Sequence, residues 1–277
     1  MSEDMASEMR AAVAALGAAP SRHDKSVTSD LSIDETLLLH GMGYEPVDLV
    51  TGISIVAIPY GTFIVPYGQG GPIELPNATE AVASAFQSGS ERLRKECATA
   101  GGVGVVGVEV EVDIDGPTAS VTFTGTAVTP IRHELASPGR PFVTDLSVRD
   151  FVLLERAGWA PIDLVAGAGF VAAPVQGVRK TLAQIGQNIE LPVITRSLQI
   201  AREQAMDQMQ TAALAMNAAG VVDVTIIDGP LGHSRHVCAF ICYGTAIRLV
   251  AEQHQRIEPD LVLAMDDHIE FQASAIR

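Results

Sequence analysis

Hydrophobic and polar positions change period along this chain in a fixed order, and that order occurs twice. The first pass opens with Ser32 and Glu35, the S-x-x-E spacing that satisfies two orphan donors at a helix start. Ile33, Leu37 and Leu38 follow, and Gly41-Met42-Gly43 marks the stop. Val47 to Ile58 is β-branched and apolar and reads as a strand. Pro59 to Pro76 is a Gly- and Pro-rich connection carrying Tyr60, Phe63, Ile64, Val65 and Tyr67. Its length is unusual for a structureless loop, so short edge strands or contact with a neighbour are expected. Val82, Phe86, Gly89, Leu93 and Cys97 then recur on one stripe of a long helix, with Glu91, Arg92 and Lys95 opposite. After it, Val106, Val108, Val110, Val112 and Ile114 are expected on one strand face and Glu109, Glu111 and Asp113 on the other. Asp115-Gly116 signals a hairpin, and the return strand carries Val121 and Phe123.

The second pass starts at Asp145-Leu146-Ser147, which matches Asp30-Leu31-Ser32. Ser147 caps, with Asp150 in place of Glu35; Pro161-Ile162-Asp163-Leu164-Val165 matches Pro46-Val47-Asp48-Leu49-Val50. The long helix has Ile194, Leu198, Ala201, Ala205, Met209, Ala212 and Met216 on its stripe. Gly220 to Val224 matches Gly104 to Val108, and Gly244-Thr245-Ala246-Ile247 matches Gly125-Thr126-Ala127-Val128. The offset stays constant from Asp30 to Ala57, and a duplication explains it. The expected organisation is a partly disordered leader over 1–29, a first copy over 30–130, a linker over 131–144, a second copy over 145–250 and a tail over 251–277. A short helix over Met9 to Leu16 and a docking segment near Leu261 to Met265 are expected in the leader and tail. The fold class is α+β: tandem β-α-β-β domains, each preceded by a short capped helix.

One helix covers one face of a three-stranded sheet. In the second copy both strand faces are apolar, with Val237, Ala239 and Ile241 alternating with Cys238, Phe240 and Cys242. The uncovered face must meet either the other copy or another chain.

Composition narrows the function. The 277 residues carry a net charge of −15, which disfavours nucleic acid and anionic membrane surfaces. Hydrophobic residues reach 47%, enough for a substantial core. Three cysteines form no disulfide framework, and no signal peptide or spanning segment is legible, so a cytoplasmic location is expected.

The ordered set of Gly52, the long helix through Glu91 to Cys97, Gly104 to Val108 and Gly125 to Val128 resembles the YbjQ-like family, whose members are labelled heavy-metal-binding. Gly167, Arg202 to Met209, Gly220 to Val224 and Gly244 to Ile247 repeat the set. The resemblance implies a dodecin-subunit-like β-α-β-β fold with an antiparallel sheet in the order 1-3-2, assembled as rings, typically pentamers.

His233, His236 and Cys238 form the densest group of ligand-type residues, around the second hairpin. Cys238 and Cys242 are too far apart on a regular strand to share a metal, at about 13 Å for four residues. A polar turn beside packing cysteines is the structural alternative. Glu109, Glu111 and Asp113 could bind a hard cation or form a solvated face. Tyr44 and Trp159 are expected to seal helix–strand corners. No nucleophile–base pair, HExxH or Walker pattern occurs, so no catalysis and no cofactor are expected. The resulting expectation is a non-enzymatic, ring-forming assembly or scaffold protein, with itself as partner. The alternative is a metal- or small-ligand-binding sequestration or storage protein built on the same oligomer, with a divalent metal as ligand. Tyr60, Phe63, Tyr67, Val222, Val224, Phe240 and Ile241 are the candidate interface residues.

Overall fold

The computed structural model describes residues 27–59, 61–64, 71–132, 139–174, 191–231, 234–252 and 254–255. The expected helix over Met9 to Leu16, Tyr60, Tyr67, His233 and the expected segment Leu261 to Met265 lie outside these residues. The elements are α1 (Ile33–Gly41), β1 (Tyr44–Ala57), β2 (Ile73–Glu74), α2 (Pro76–Ala100), β3 (Gly104–Asp115), β4 (Thr118–Pro130), β5 (Phe142–Val143), α3 (Val148–Arg156), β6 (Trp159–Ala172), α4 (Pro192–Ala215), β7 (Gly220–Leu231) and β8 (Ser234–Leu249). The fold is α+β, with sheet orders β1-β4-β3-β5 and β2-β6-β8-β7. The long strands pair antiparallel.

Local chemistry sets the helix ends. Ser32 and Glu35 form the complete capping box of α1, and Ser147 Oγ accepts from Asp150 N at the start of α3. Gly101 ends α2 at φ 86°, a left-handed position that a glycine adopts without steric cost. All five stripe residues of α2 are buried. Gly52 and Gly167 permit the close approach of strand to helix. A Cβ would fall 2.2 Å from Gly89 O in the first case and 1.9 Å from Ala205 O in the second.

The layers answer where the second sheet hides its other face. α4 covers one side through Ala201, Ala205 and Met209 against Val171, Phe240 and Cys242. The opposite side, with Ala168, Phe170, Ala239 and Ile241, joins the same core as α2 and the first sheet. α2 therefore serves two sheets. α1 and α3 close one end over Val106, Val128 and Phe151, where the Phe142 and Phe151 rings stack at 5.8 Å.

Two expectations need correction. The stretch expected as a linker contains β5, which pairs parallel with β3 in the first sheet. β2, from the connection before α2, pairs with β6 in the second. The two sheets thus exchange short edge strands. Val106 and Val108 do not share a face: Val106 packs with α1 and α3, and Val108 with the α2 core. Gly107, at φ 63°, inserts a bulge between them and reverses the alternation.

Candidate functional site

The junction between the halves is built around a buried ion pair. Arg94 on α2 and Asp163 on β6 are 4% and 3% exposed, and the Arg94 Nη2 donates to Asp163 Oδ1. Asp163 Oδ1 also accepts from Leu164 N at 2.8 Å, and Asp163 Oδ2 lies 3.6 Å from the Arg140 guanidinium. Arg94 Nη1 reaches Glu91 at 3.4 Å. Sequence reading missed this pair, since its members are 69 positions apart.

A second device ties the ends of each half together. Thr126 Oγ1 donates to Asp30 Oδ1, and Thr245 Oγ1 donates to Asp145 Oδ1 at 2.5 Å. The Asp of the Asp-Leu-Ser motif is therefore held by the Thr of the Gly-Thr-Ala motif. Their joint recurrence in both passes was the signal that could have revealed it.

A cleft of about 500 Å³ lies beside the junction, lined by Glu109, Glu111, Thr122, Thr124, Asp145 and Asp223 among others. Burial pushes the Asp145 carboxyl up to about 6 against the hydrogen bond from Thr245, and Asp223 adds to the rise. Glu109 and Glu111 are exposed, in keeping with a solvated face.

Of the metal candidates, His236 and Cys238 lie within the described residues. Cys238 is buried and its Sγ meets Ile194 O at 3.8 Å, while burial pushes its thiol up and disfavours the thiolate a metal requires. His236 is half-buried, and among the described residues no three His, Cys, Asp or Glu side chains converge on a metal position. These described residues do not fit a transition-metal centre. Tyr44 packs edge-on to Phe151 at 5.8 Å, and burial followed by the Glu155 carboxylate pushes its hydroxyl up to about 12. Trp159 Nε1 donates to His254 Nδ1 at 2.9 Å.

Of the interface candidates, Phe240 and Ile241 are withdrawn, because both are buried inside the chain against α4 and the α2 core. Phe63 is half-buried on that same core, and Val222 packs with the α1–α3 cluster. Val224 is exposed with Ile226 and Ile227 on β7, the last strand of its sheet. Sequence reading missed Ile53 and Ile55 on the open face of the first sheet, at 49% and 68% exposure.

Residues 163–250 match the YbjQ family model, described as "Putative heavy-metal-binding". The chain is also 36% identical over 253 residues to the encapsulin nanocompartment protein Rv1762c of Mycobacterium tuberculosis (strain ATCC 25618 / H37Rv). That alignment covers 89% of this chain and 94% of the relative. The chain belongs to the YbjQ-like family. The family match spans β7 and β8 with the Gly-Thr-Ala motif, and it begins at Asp163, the acid of the buried pair. Among the described residues no helix is long and apolar enough to cross a membrane.

Proposed function

We propose that this chain is a non-enzymatic structural protein, a tandem of two β-α-β-β units that assembles with copies of itself into a closed ring, most simply of five chains, in the cytoplasm. One observation carries the reading: positions covered in the C-terminal half are bare in the N-terminal half. Ala168 and Phe170 are 2% and 0% exposed beneath α2, while Ile53 and Ile55, at the same places in the motif order, face solvent. Two bare isoleucines on an otherwise polar sheet face, and the exposed Val224, Ile226 and Ile227 of the terminal strand β7, are apolar surfaces that association removes from water. The relative named as a nanocompartment protein supports an assembly role. Sedimentation velocity tests it: the wild-type protein is expected to run as one oligomeric boundary, and Ile53→Asp/Ile55→Asp as a 29.1 kDa chain. A wild-type monomer would overturn the proposal.

A second reading, sequestration of a metal or small ligand by the same oligomer, is favoured by the family description and by the acidic cleft beside Asp145. Its test is elemental analysis of untagged protein, with and without His233→Ala/His236→Ala. About one metal per chain, lost in the variant, would support it.

A further inference from the structure

The halves of the chain join through a directed contact, and the molecule's two ends present the unused partners of that contact. Inside the chain, the segment 142–146 leaves the C-terminal half and lies along the outer edge of β3. Phe142 N donates to Val103 O at 3.3 Å and Thr144 N to Val105 O at 3.0 Å. In return Val108 N donates to Thr144 O at 3.0 Å and Gly107 N to Leu146 O at 3.1 Å. The Phe142 ring fills the space over Gly104, where a Cβ would fall 2.2 Å from the ring. In the same joint, α2 lies over Ala168 and Phe170 of the other half.

Each of these features has a counterpart without a partner. Gly220 stands in β7 where Gly104 stands in β3, yet a Cβ at Gly220 would meet nothing within 4 Å. Asp223 reproduces the bulge of Gly107, at φ 53°, and among the described residues no segment bonds to the outer edge of β7 as 142–146 bonds to β3. At the front of the chain, Val27-Thr28-Ser29-Asp30 occupies the place of Phe142-Val143-Thr144-Asp145. Asp30 is anchored on Thr126 just as Asp145 is on Thr245, so residues 27–29 precede the same anchor in the first half that residues 142–144 precede in the second. Val143 is buried against β3, whereas Val27 and Thr28 are exposed.

We infer that the joint between chains repeats the joint within the chain. Residues 27–29 of a second copy add as a parallel strand to the β7 edge at Gly220 and Val221, and α4 of the first copy lies over Ile53 and Ile55 of the second. The inference rests on the self-assembly reading and specifies its contact. Val27 N would donate to Ala219 O, Ser29 N to Val221 O and Val224 N to Ser29 O, the counterparts of the bonds around β5. Strand addition of this kind draws its affinity from main-chain bonds and covers an edge that otherwise invites aggregation. The contact is heterologous: each copy offers one β7 edge and one leading segment, so free ends persist until a ring closes.

The test is a Val27→Cys/Gly220→Cys protein in the full chain, with each single variant as control; the three native cysteines are buried. The unmodified protein is first sized in solution, then the double variant is treated with oxidant and, separately, a short bis-maleimide. An oligomer whose chains link into multimers in the double variant, and in neither single variant, is the expected result. An oligomer whose chains stay unlinked, or link only within one chain, overturns the strand joint and leaves the assembly reading standing. A monomer at the sizing step overturns both.

Discussion

Asp163→Ala should be the most costly single-residue change at the junction of the two halves. It removes the carboxylate that faces the buried Arg94 guanidinium and leaves that cation with Glu91, on the half-exposed side of α2, as its charged neighbour. Arg94 Nε already has no hydrogen-bond partner among the described residues, so the group has little reserve. Leaving one member of a buried pair uncompensated costs about 3–5 kcal/mol. Glu91 remains at 3.4 Å as a partial counter-charge, so the low end, about 3 kcal/mol, is the expected loss. At about 2–4 °C per kcal/mol for a chain of this size, the midpoint should fall by about 6–12 °C. The assay is urea unfolding and a thermal melt at one fixed protein concentration, because association contributes to apparent stability. Arg94→Met/Asp163→Leu should return close to wild type, since an apolar pair of similar volume avoids the desolvation cost. An Asp163→Ala protein within about 1 kcal/mol of wild type would refute the reasoning.

Gly52→Ala and Gly167→Ala should each destabilise by about 1–3 kcal/mol or more, because their Cβ atoms would strike the backbone of α2 and α4, while Gly220→Ala should leave the melting point of the dissociated chain unchanged. Equal effects at the three glycines in thermal melts would contradict this. Ser32→Ala should cost about 1 kcal/mol by loss of the capping box of α1, read by urea titration. Asp145 ionises at about 6 in the folded chain against an ordinary 3.8, so its contribution to stability is complete below about pH 4 and is lost as pH rises to about 6. Asp145→Asn should flatten the stability profile across that window, and an unchanged slope would show that another group sets it. Elemental analysis of untagged protein is expected to find less than one transition metal per chain.

Features written in neighbouring residues were legible in the sequence. The Ser32–Glu35 box, the stripe from Val82 to Cys97 and the Asp115-Gly116 turn each depend on spacings of a few positions, and each formed as read. Features that depend on distant partners were not. Arg94 sits among exposed Glu91, Arg92 and Lys95 on its helix, and the buried carboxylate that offsets its charge, Asp163, lies across the junction. A short edge strand was expected in the connection that holds β2, but β2 and β5 hold two residues each, too few to show which sheet either joins, so the exchange was invisible. The reversal at Gly107 needed its φ of 63°, because Val-Val-Gly-Val reads equally well as an unbroken strand. The apolar second face of the C-terminal sheet was legible, but which surface covers it was not. The same pattern suits another chain or the α2 core that in fact buries Ile241.

On the proposed assembly, surfaces bare on one chain are covered by the next. Native mass spectrometry of the untagged protein at low micromolar concentration tests it most directly, since it counts chains without a shape assumption. One closed species with an integral number of 29.1 kDa chains, five in the simplest case, is expected, with no ladder of intermediate sizes. A spectrum containing only the single chain would contradict it.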